Sequence, residues 1–317
     1  MSRLRTAVIG AGHMGGFHAQ KFAASASAQL VAIVDADGAR AARIAGALGC
    51  AHATDYRQLL ALHSAGLEAA CVAVPTEKHY EIVRACLEAG VHVLVEKPLA
   101  RTLAEADGLL ALASARNLVL QVGHLQRFNP AFQALAAGGG RPLFIDIERL
   151  APFKDRGTDV DVVLDLMIHD LDLVLALARA PVEQVNACGF RVLTDAIDIA
   201  NARIEFADGC VANVSASRVS QAAIRKLRVF RHDGYSSADL QEQRLRHARK
   251  ARAGENAGGI VESEQAFERV DELAAQADDF LRAVRERAAP LVSGEQGRAA
   301  LALAQRIGGV IAQRMMR

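Results

Sequence analysis

The stretch Ala7-Val8-Ile9-Gly10-Ala11-Gly12-His13-Met14-Gly15-Gly16 decides how this chain reads. An apolar run ends in a G-x-G-x-x-G pattern (Gly10, Gly12, Gly15), and a segment of helical composition, Met14 to Ser25, follows. The pattern predicts a strand, a tight turn and a helix start. Gly10 makes the turn, Gly12 lets the backbone approach a pyrophosphate, and Gly15 lets helix and strand pack closely. The helix N-terminus adds N–H groups and a positive dipole end, so His13 and Met14 in the turn count among the expected cofactor contacts. The next apolar run, Leu30 to Val34, ends in Asp35, about 20 residues past Gly15, where a carboxylate holds adenosine ribose hydroxyls. Ala36, Asp37 and Gly38 follow, with no basic residue among them, and two carboxylates repel a 2′-phosphate. NAD is therefore expected over NADP.

The chain has 317 residues, enough for two domains, and a formal net charge of +1. That charge and the absence of Trp give no case for nucleic acid or an acidic membrane surface. The five cysteines form no C-x-x-C pair and read as reduced thiols of a cytoplasmic protein. The apolar run after Arg3 and Arg5 is too short for a signal peptide, and no stretch has the roughly 18 uninterrupted apolar residues of a membrane span.

Residues 4–122 alternate strand and helix patterns. The runs Leu4–Ile9, Gln29–Val34, Ala69–Val74, His92–Val95 and Leu118–Val122 are almost wholly apolar, as when helices cover both faces of a parallel sheet. Asp55 and Thr102 are candidate N-caps. The expected α/β fold has a doubly wound NAD-binding Rossmann domain at 1–122 and an α+β domain at 123–317 with a large, mostly antiparallel open sheet. In the second, Ile199–Phe206 and Cys210–Arg218 alternate about Asp208-Gly209, and Ile224–Arg231 leads through Asp233-Gly234 into Tyr235–Leu240, so two hairpins are expected. Gln243 to Gly259 is polar and basic and reads as a loop; Glu272–Arg287 and Glu295–Arg314 read as closing helices.

Three clusters carry chemistry. Val74-Pro75-Thr76, with His79 beyond it, ends one apolar run, where ligands bind in such sheets, although proline is also an ordinary strand stop. Glu96-Lys97-Pro98 ends the next, where burying Glu and Lys is costly unless they pair or face a site, and Glu96 and Lys97 count with Val74, Pro75, Thr76 and His79 among the expected cofactor contacts. Lys97 at a cleft suits proton transfer; a strand-end salt bridge is the alternative. Asp161, Asp165, His169 and Asp172 fall on one face of a helical pattern, with Asp165 and His169 at i and i+4. A carboxylate that orients an imidazole is a general acid/base arrangement, a plain polar face is the bland alternative, and no metal set has ligand spacing.

Together these motifs resemble the glucose–fructose oxidoreductase, inositol dehydrogenase and MocA-like family over nearly the whole chain. The resemblance implies hydride transfer between a sugar-like alcohol carbon and a nicotinamide. It also implies a dimer or tetramer formed through the second sheet. Lys97, Asp165 and His169 match the family's catalytic lysine, aspartate and histidine. His169 is expected to be the base while Lys97 holds the developing alkoxide, with the reverse open. Within the family, Ala151-Pro152-Phe153-Lys154-Asp155-Arg156 and Asn213-Val214-Ser215-Ala216-Ser217-Arg218 resemble members that oxidise the 3-hydroxyl of UDP-N-acetylglucosamine on the way to a diamino-sugar lipid A. Arg127, Lys154 and Arg156 are then candidates for the substrate diphosphate. A free polyol dehydrogenase and a non-catalytic redox sensor are the competing readings.

Overall fold

The computed structural model describes residues 2–62, 66–154, 160–252, 255 and 259–316. In chain order the first elements are β1 (Leu4–Ile9), α1 (His13–Ala24), β2 (Ala28–Val34), α2 (Gly38–Leu48), β3 (Ala51–Ala53), α3 (Tyr56–Leu62), β4 (Ala69–Val72), α4 (His79–Glu88), β5 (His92–Glu96), α5 (Leu103–Ala115) and β6 (Leu120–Gly123). Next come α6 (Pro130–Ala137), β7 (Phe144–Leu150), a π-helical turn (Val163–Met167), α7 (Ile168–Ala178), β8 (Val182–Phe190), β9 (Ile199–Phe206) and β10 (Val211–Ser217). The chain closes with β11 (Ile224–Phe230), β12 (Gly234–Asp239), β13 (Arg244–Lys250), β14 (Ile260–Ala266), α8 (Glu272–Glu286) and α9 (Gly294–Met315).

The chain divides into two compact units: Met1–Leu125 with Asp271–Arg298, and Gln126–Val270 with Ala299–Arg317. The first unit holds a six-stranded parallel sheet in the order β3-β2-β1-β4-β5-β6, the doubly wound arrangement expected. Val8, Ile33, Cys71 and Val93 are fully buried, which is why these strands are apolar on both faces. Thr102 caps α5 in a reciprocal box with Glu105, and the Asp55 carboxylate accepts from the Arg57 N–H at 2.8 Å at the start of α3. β3 is three residues of alanine and histidine, too short for a pattern, and was not expected.

A single cut after residue 122 differs from this division, because 271–298 returns to the first unit. The cause is apolar burial. Ala277, Phe280 and Leu281 of α8 lie in the core that contains Phe22 and Ile33, and the rings of Phe22 and Phe280 meet edge to face at 6.4 Å. The start of α9 follows: a Cβ at Gly297 would stand 2.4 Å from Val122, so only glycine lets this helix approach β6.

The second unit is an eight-stranded sheet, β14-β13-β12-β11-β7-β10-β9-β8. All its pairings are antiparallel except β7 with β10. Both expected hairpins form; Gly209 takes φ +85 in the first, a conformation that favours glycine. Cys210, Ala212, Val214 and Ala216 point inward, against a core that includes Leu171, Val174, Ile307 and Ile311.

One expectation fails. Within the polar segment 243–259 read as a loop, Arg244–Lys250 forms β13, which pairs along its length with β12 and β14. Only Ala248 of this strand is buried, so no apolar alternation marks it, and backbone pairing to its neighbours holds it. No helix among the described residues is long and apolar enough to cross a membrane.

Candidate active site

In the first unit the glycine turn is built as its spacing implies. Gly10 has φ +94, and a Cβ there would lie 2.3 Å from the Ala73 carbonyl oxygen. A Cβ at Gly15 would lie 1.8 Å from the Gly10 carbonyl oxygen, while Gly12 has nothing within 4 Å of where its Cβ would be. Gly10 and Gly15 are thus closed by protein and Gly12 is open, as a backbone that receives a pyrophosphate must be. Gly12 caps α1, with His13 and Met14 exposed beside it. A cavity of about 700 Å³ starts at Gly10, Gly12, Asp35, Val74 and Pro75 and extends to Arg40, Tyr56, Arg57 and Lys78. Its size and its glycine floor fit a dinucleotide end.

Asp35 is held by donors from the protein itself. Its carboxylate accepts from the N–H groups of Ala11 (2.6 Å) and Asp37 (2.8 Å) and from the Arg40 guanidinium (3.0 Å). Burial opposes its charge, but these donors win and its pKa falls below the usual range. Arg40 is the residue that reading forward from Asp35 missed. Asp37 caps α2 by accepting from the Arg40 N–H, and that first helical turn swings the guanidinium back to Asp35. The Arg40 side chain is 42 % exposed, so solvent screens this contact and leaves the guanidinium able to meet a 2′-phosphate. Arg40→Ala is therefore expected to weaken NADP binding about tenfold or more while NAD binding changes little. Dissociation constants for both nucleotides, from fluorescence titration, check this; equal losses would remove Arg40 from selectivity.

The lysine turn follows β5. Lys97 is half-buried, the Lys97–Pro98 peptide is cis, and Leu99 and Ala100 are fully buried behind it. His79 is 1 % exposed, with Nδ1 2.8 Å from the Pro98 carbonyl oxygen and Nε2 3.0 Å from that of Val74. It thus joins the Val74-Pro75-Thr76 turn to the Lys97-Pro98 turn, and burial lowers its pKa. Glu96, read with the cofactor contacts, turns its carboxylate to His18 of α1 at 2.8 Å.

In the second unit the helix read from Asp161 onward is not one regular face. Asp165 lies in the π-helical turn and His169 in the first turn of α7; both are half-buried. The wider turn breaks the 3.6-residue register. Asp161 instead accepts from the Ile197 N–H at 2.8 Å, and Asp172 is 2 % exposed, 3.4 Å from the Arg127 guanidinium. Asp170, beside His169, is 1 % exposed and accepts from Arg149 of β7 at 2.6, 2.9 and 3.0 Å. Burial outweighs Arg149 and raises the Asp170 pKa. Two buried ion pairs thus hold the turn that carries His169.

Among the expected diphosphate groups, Arg127 is buried in its pair with Asp172, its guanidinium 5.9 Å from the centre of the Phe132 ring, whereas Lys154 is exposed. Arg156 lies outside the described residues. Lys97 belongs to the first unit, and Arg127, Lys154, Asp165 and His169 to the second. Arg149 went unread because β7 itself did; a lone arginine on the strand face of Ile145 and Ile147 was the available signal.

Comparison with known proteins bears on both units. Residues 4–124 match an oxidoreductase family's NAD-binding Rossmann-fold domain, and residues 140–235 match the GFO/IDH/MocA C-terminal domain. The chain belongs to the GFO/IDH/MocA family of NAD-binding oxidoreductases. It is 41 % identical to UDP-N-acetylglucosamine 3-dehydrogenase of Acidithiobacillus ferrooxidans, over 97 % of each chain. A solved structure of that enzyme superposes with a TM-score of 0.91 at 38 % identity, covering 98 % of each chain. A scyllo-inositol 2-dehydrogenase (NAD(+)) of Bacillus subtilis is 29 % identical over 69 % of this chain and 68 % of its own.

Proposed function

We propose that this protein is an NAD-dependent dehydrogenase that oxidises the 3-hydroxyl of UDP-N-acetylglucosamine to a ketone. The observation that carries the substrate is the 41 % identity, spread over 97 % of both chains, to an enzyme named for that reaction. Bound NAD supplies the hydride acceptor. In this reading Gly10, Gly12, His13, Met14, Gly15 and the Val74–Thr76 turn receive the cofactor, and Asp35 takes the adenosine ribose. His169 removes the hydroxyl proton, Asp165 orients it, and Lys97 holds the alkoxide as it becomes a carbonyl. Lys154 and Arg156 contact the diphosphate, while Arg127 acts through Asp172 on the helix that carries His169. The ketone then suits an amination step, as a lipid A built on a diamino sugar requires.

NADH formation with UDP-N-acetylglucosamine, UDP-glucose, myo-inositol and glucose tests the reading. Turnover with the first is expected, and Lys154→Ala and Arg156→Ala should each raise its KM about tenfold with little change in kcat. Turnover only with a free polyol would overturn it. Silence with every substrate alongside tight NAD binding would favour a redox sensor.

We also infer a cytoplasmic homodimer or homotetramer formed through the outer face of the eight-stranded sheet. Phe144, Phe230 and Tyr235 form an aromatic row there, with ring centres 5.7 and 5.6 Å apart, and none of the three is fully buried. A monomeric mass by light scattering would refute it.

A further inference from the structure

The turn that carries Asp165 is gripped at its start by a cluster that the chemistry above does not use. Val160, Asp161 and Val162 lead into the π-helical turn, and each is held from another part of the second unit. The Arg218 guanidinium donates to the Val160 carbonyl. The Ile197 N–H donates to Oδ1 of Asp161 at 2.8 Å, and the Val162 N–H donates to the Ile197 carbonyl at 2.9 Å. Behind this contact stands Asp198, which is fully buried. One of its carboxylate oxygens accepts from the N–H groups of Val192, Leu193 and Thr194 at 2.8, 2.7 and 2.9 Å, and the other from the Thr194 hydroxyl at 2.7 Å. The Arg218 N–H donates to the Asp198 carbonyl at 3.0 Å. So many donors on one residue fix the segment ahead of β9 and make Ile197 a firm anchor.

The grip passes inward through Asp161. Its carbonyl accepts from the N–H groups of Leu164 and Asp165, both at 3.0 Å. The side chain is thus held by the anchor while the main chain holds the residue read as orienting His169. At the far end of the turn, Arg149 holds Asp170. The π turn between these anchors closes with the Ile168 N–H on the Val163 carbonyl. A one-residue slip to the α-helical register would rotate Asp165 against His169 by about 100°.

We propose that Asp161 is a positioning residue for Asp165 and His169: it locks the start of the π turn to the Ile197–Asp198 anchor and so sets the register in which the two side chains are presented together. Its functional weight rests on the roles proposed above for Asp165 and His169. Asp161 acts as an acceptor and not through its charge. The donor is a neutral N–H, so an amide oxygen in the same place serves as well.

Two readouts test this. Hydrogen exchange by mass spectrometry, on the peptide that spans residues 161–170, follows the turn itself. Steady-state kinetics with UDP-N-acetylglucosamine and NAD follow the pair it carries. Asp161→Ala removes the acceptor, so exchange at the Leu164 and Asp165 amides should quicken about tenfold. At a temperature well below melting, kcat should fall about tenfold while KM for NAD stays unchanged. Asp161→Asn keeps an acceptor oxygen and should restore both. Unchanged exchange in Asp161→Ala overturns the proposal, as does a loss in Asp161→Asn equal to that in Asp161→Ala. Quickened exchange with kcat intact, where Asp165→Ala has lost its turnover, also overturns it: the contact then only stabilises the fold. Should Asp161→Ala fail to fold, Arg218→Lys, which shortens the reach to Val160, decides on the same two readouts. If Asp165→Ala and His169→Ala keep full turnover, the acid–base reading fails, while quickened exchange leaves the hold on the turn standing.

Discussion

Lys97→Ala is expected to lower kcat by about 10²–10⁴-fold, the range general acid–base catalysis supplies, with NAD affinity nearly unchanged. The argument starts from cost. β5 is an interior strand whose Val93, Leu94 and Val95 are at most 1 % exposed, and Lys97 follows directly where it ends. The turn is held from three sides: by buried Leu99 and Ala100, by His79 on the Pro98 carbonyl, and by Glu96 on His18. A lysine on a turn so fixed has little backbone entropy left to lose when it meets a substrate oxygen, and only its side chain remains to be ordered. Isothermal titration with NAD and stopped-flow NADH formation separate binding from turnover. Unchanged turnover in the variant would remove Lys97 from the chemistry, whereas a parallel loss of NAD binding would make it a cofactor ligand instead.

The second large effect is on stability. Arg149 and Asp170 are 5 % and 1 % exposed, and their bidentate contact joins β7 to α7. Arg149→Met leaves a carboxylate buried without its partner, which costs about 3–5 kcal/mol, or a fall in Tm of roughly 10 °C. Raising the pH should deepen the loss: the pKa of Asp170 is already pushed up by burial, and without Arg149 ionisation becomes harder still. The double variant Arg149→Met with Asp170→Leu should regain most of the stability, because it removes both charges. Calorimetry of the two variants decides this. A loss under 1 kcal/mol in the single variant would mean that the pair is not needed to hold the helix start.

The candidate sites were legible in the sequence to different depths. The glycine turn, Asp35 and the Lys97 turn stand where spacing put them, because each closes a strand that the apolar pattern already marks. The polar face from Asp161 to Asp172 did not survive, because a π-helical turn cannot be told from an α-helical one by a 3.6-residue count. Burial then sorted its side chains: Asp172 went to Arg127, as the neighbouring Asp170 went to Arg149, while Asp165 and His169 stayed half-buried.

By itself the sequence determined the elements whose signals are local. Apolar runs made the parallel strands, Thr102 with Glu105 started α5, and Asp208-Gly209 and Asp233-Gly234 turned the hairpins. Only the tertiary structure decided what depends on distant partners. It placed β7 between β10 and β11, returned α8 to the first unit, and paired Arg149 with Asp170 and His18 with Glu96. Turn and capping chemistry acts within a few residues and is written in order along the chain. Desolvation acts on whatever the fold brings together, so a buried charge finds its partner across tens of residues of sequence, and no local pattern names that partner in advance.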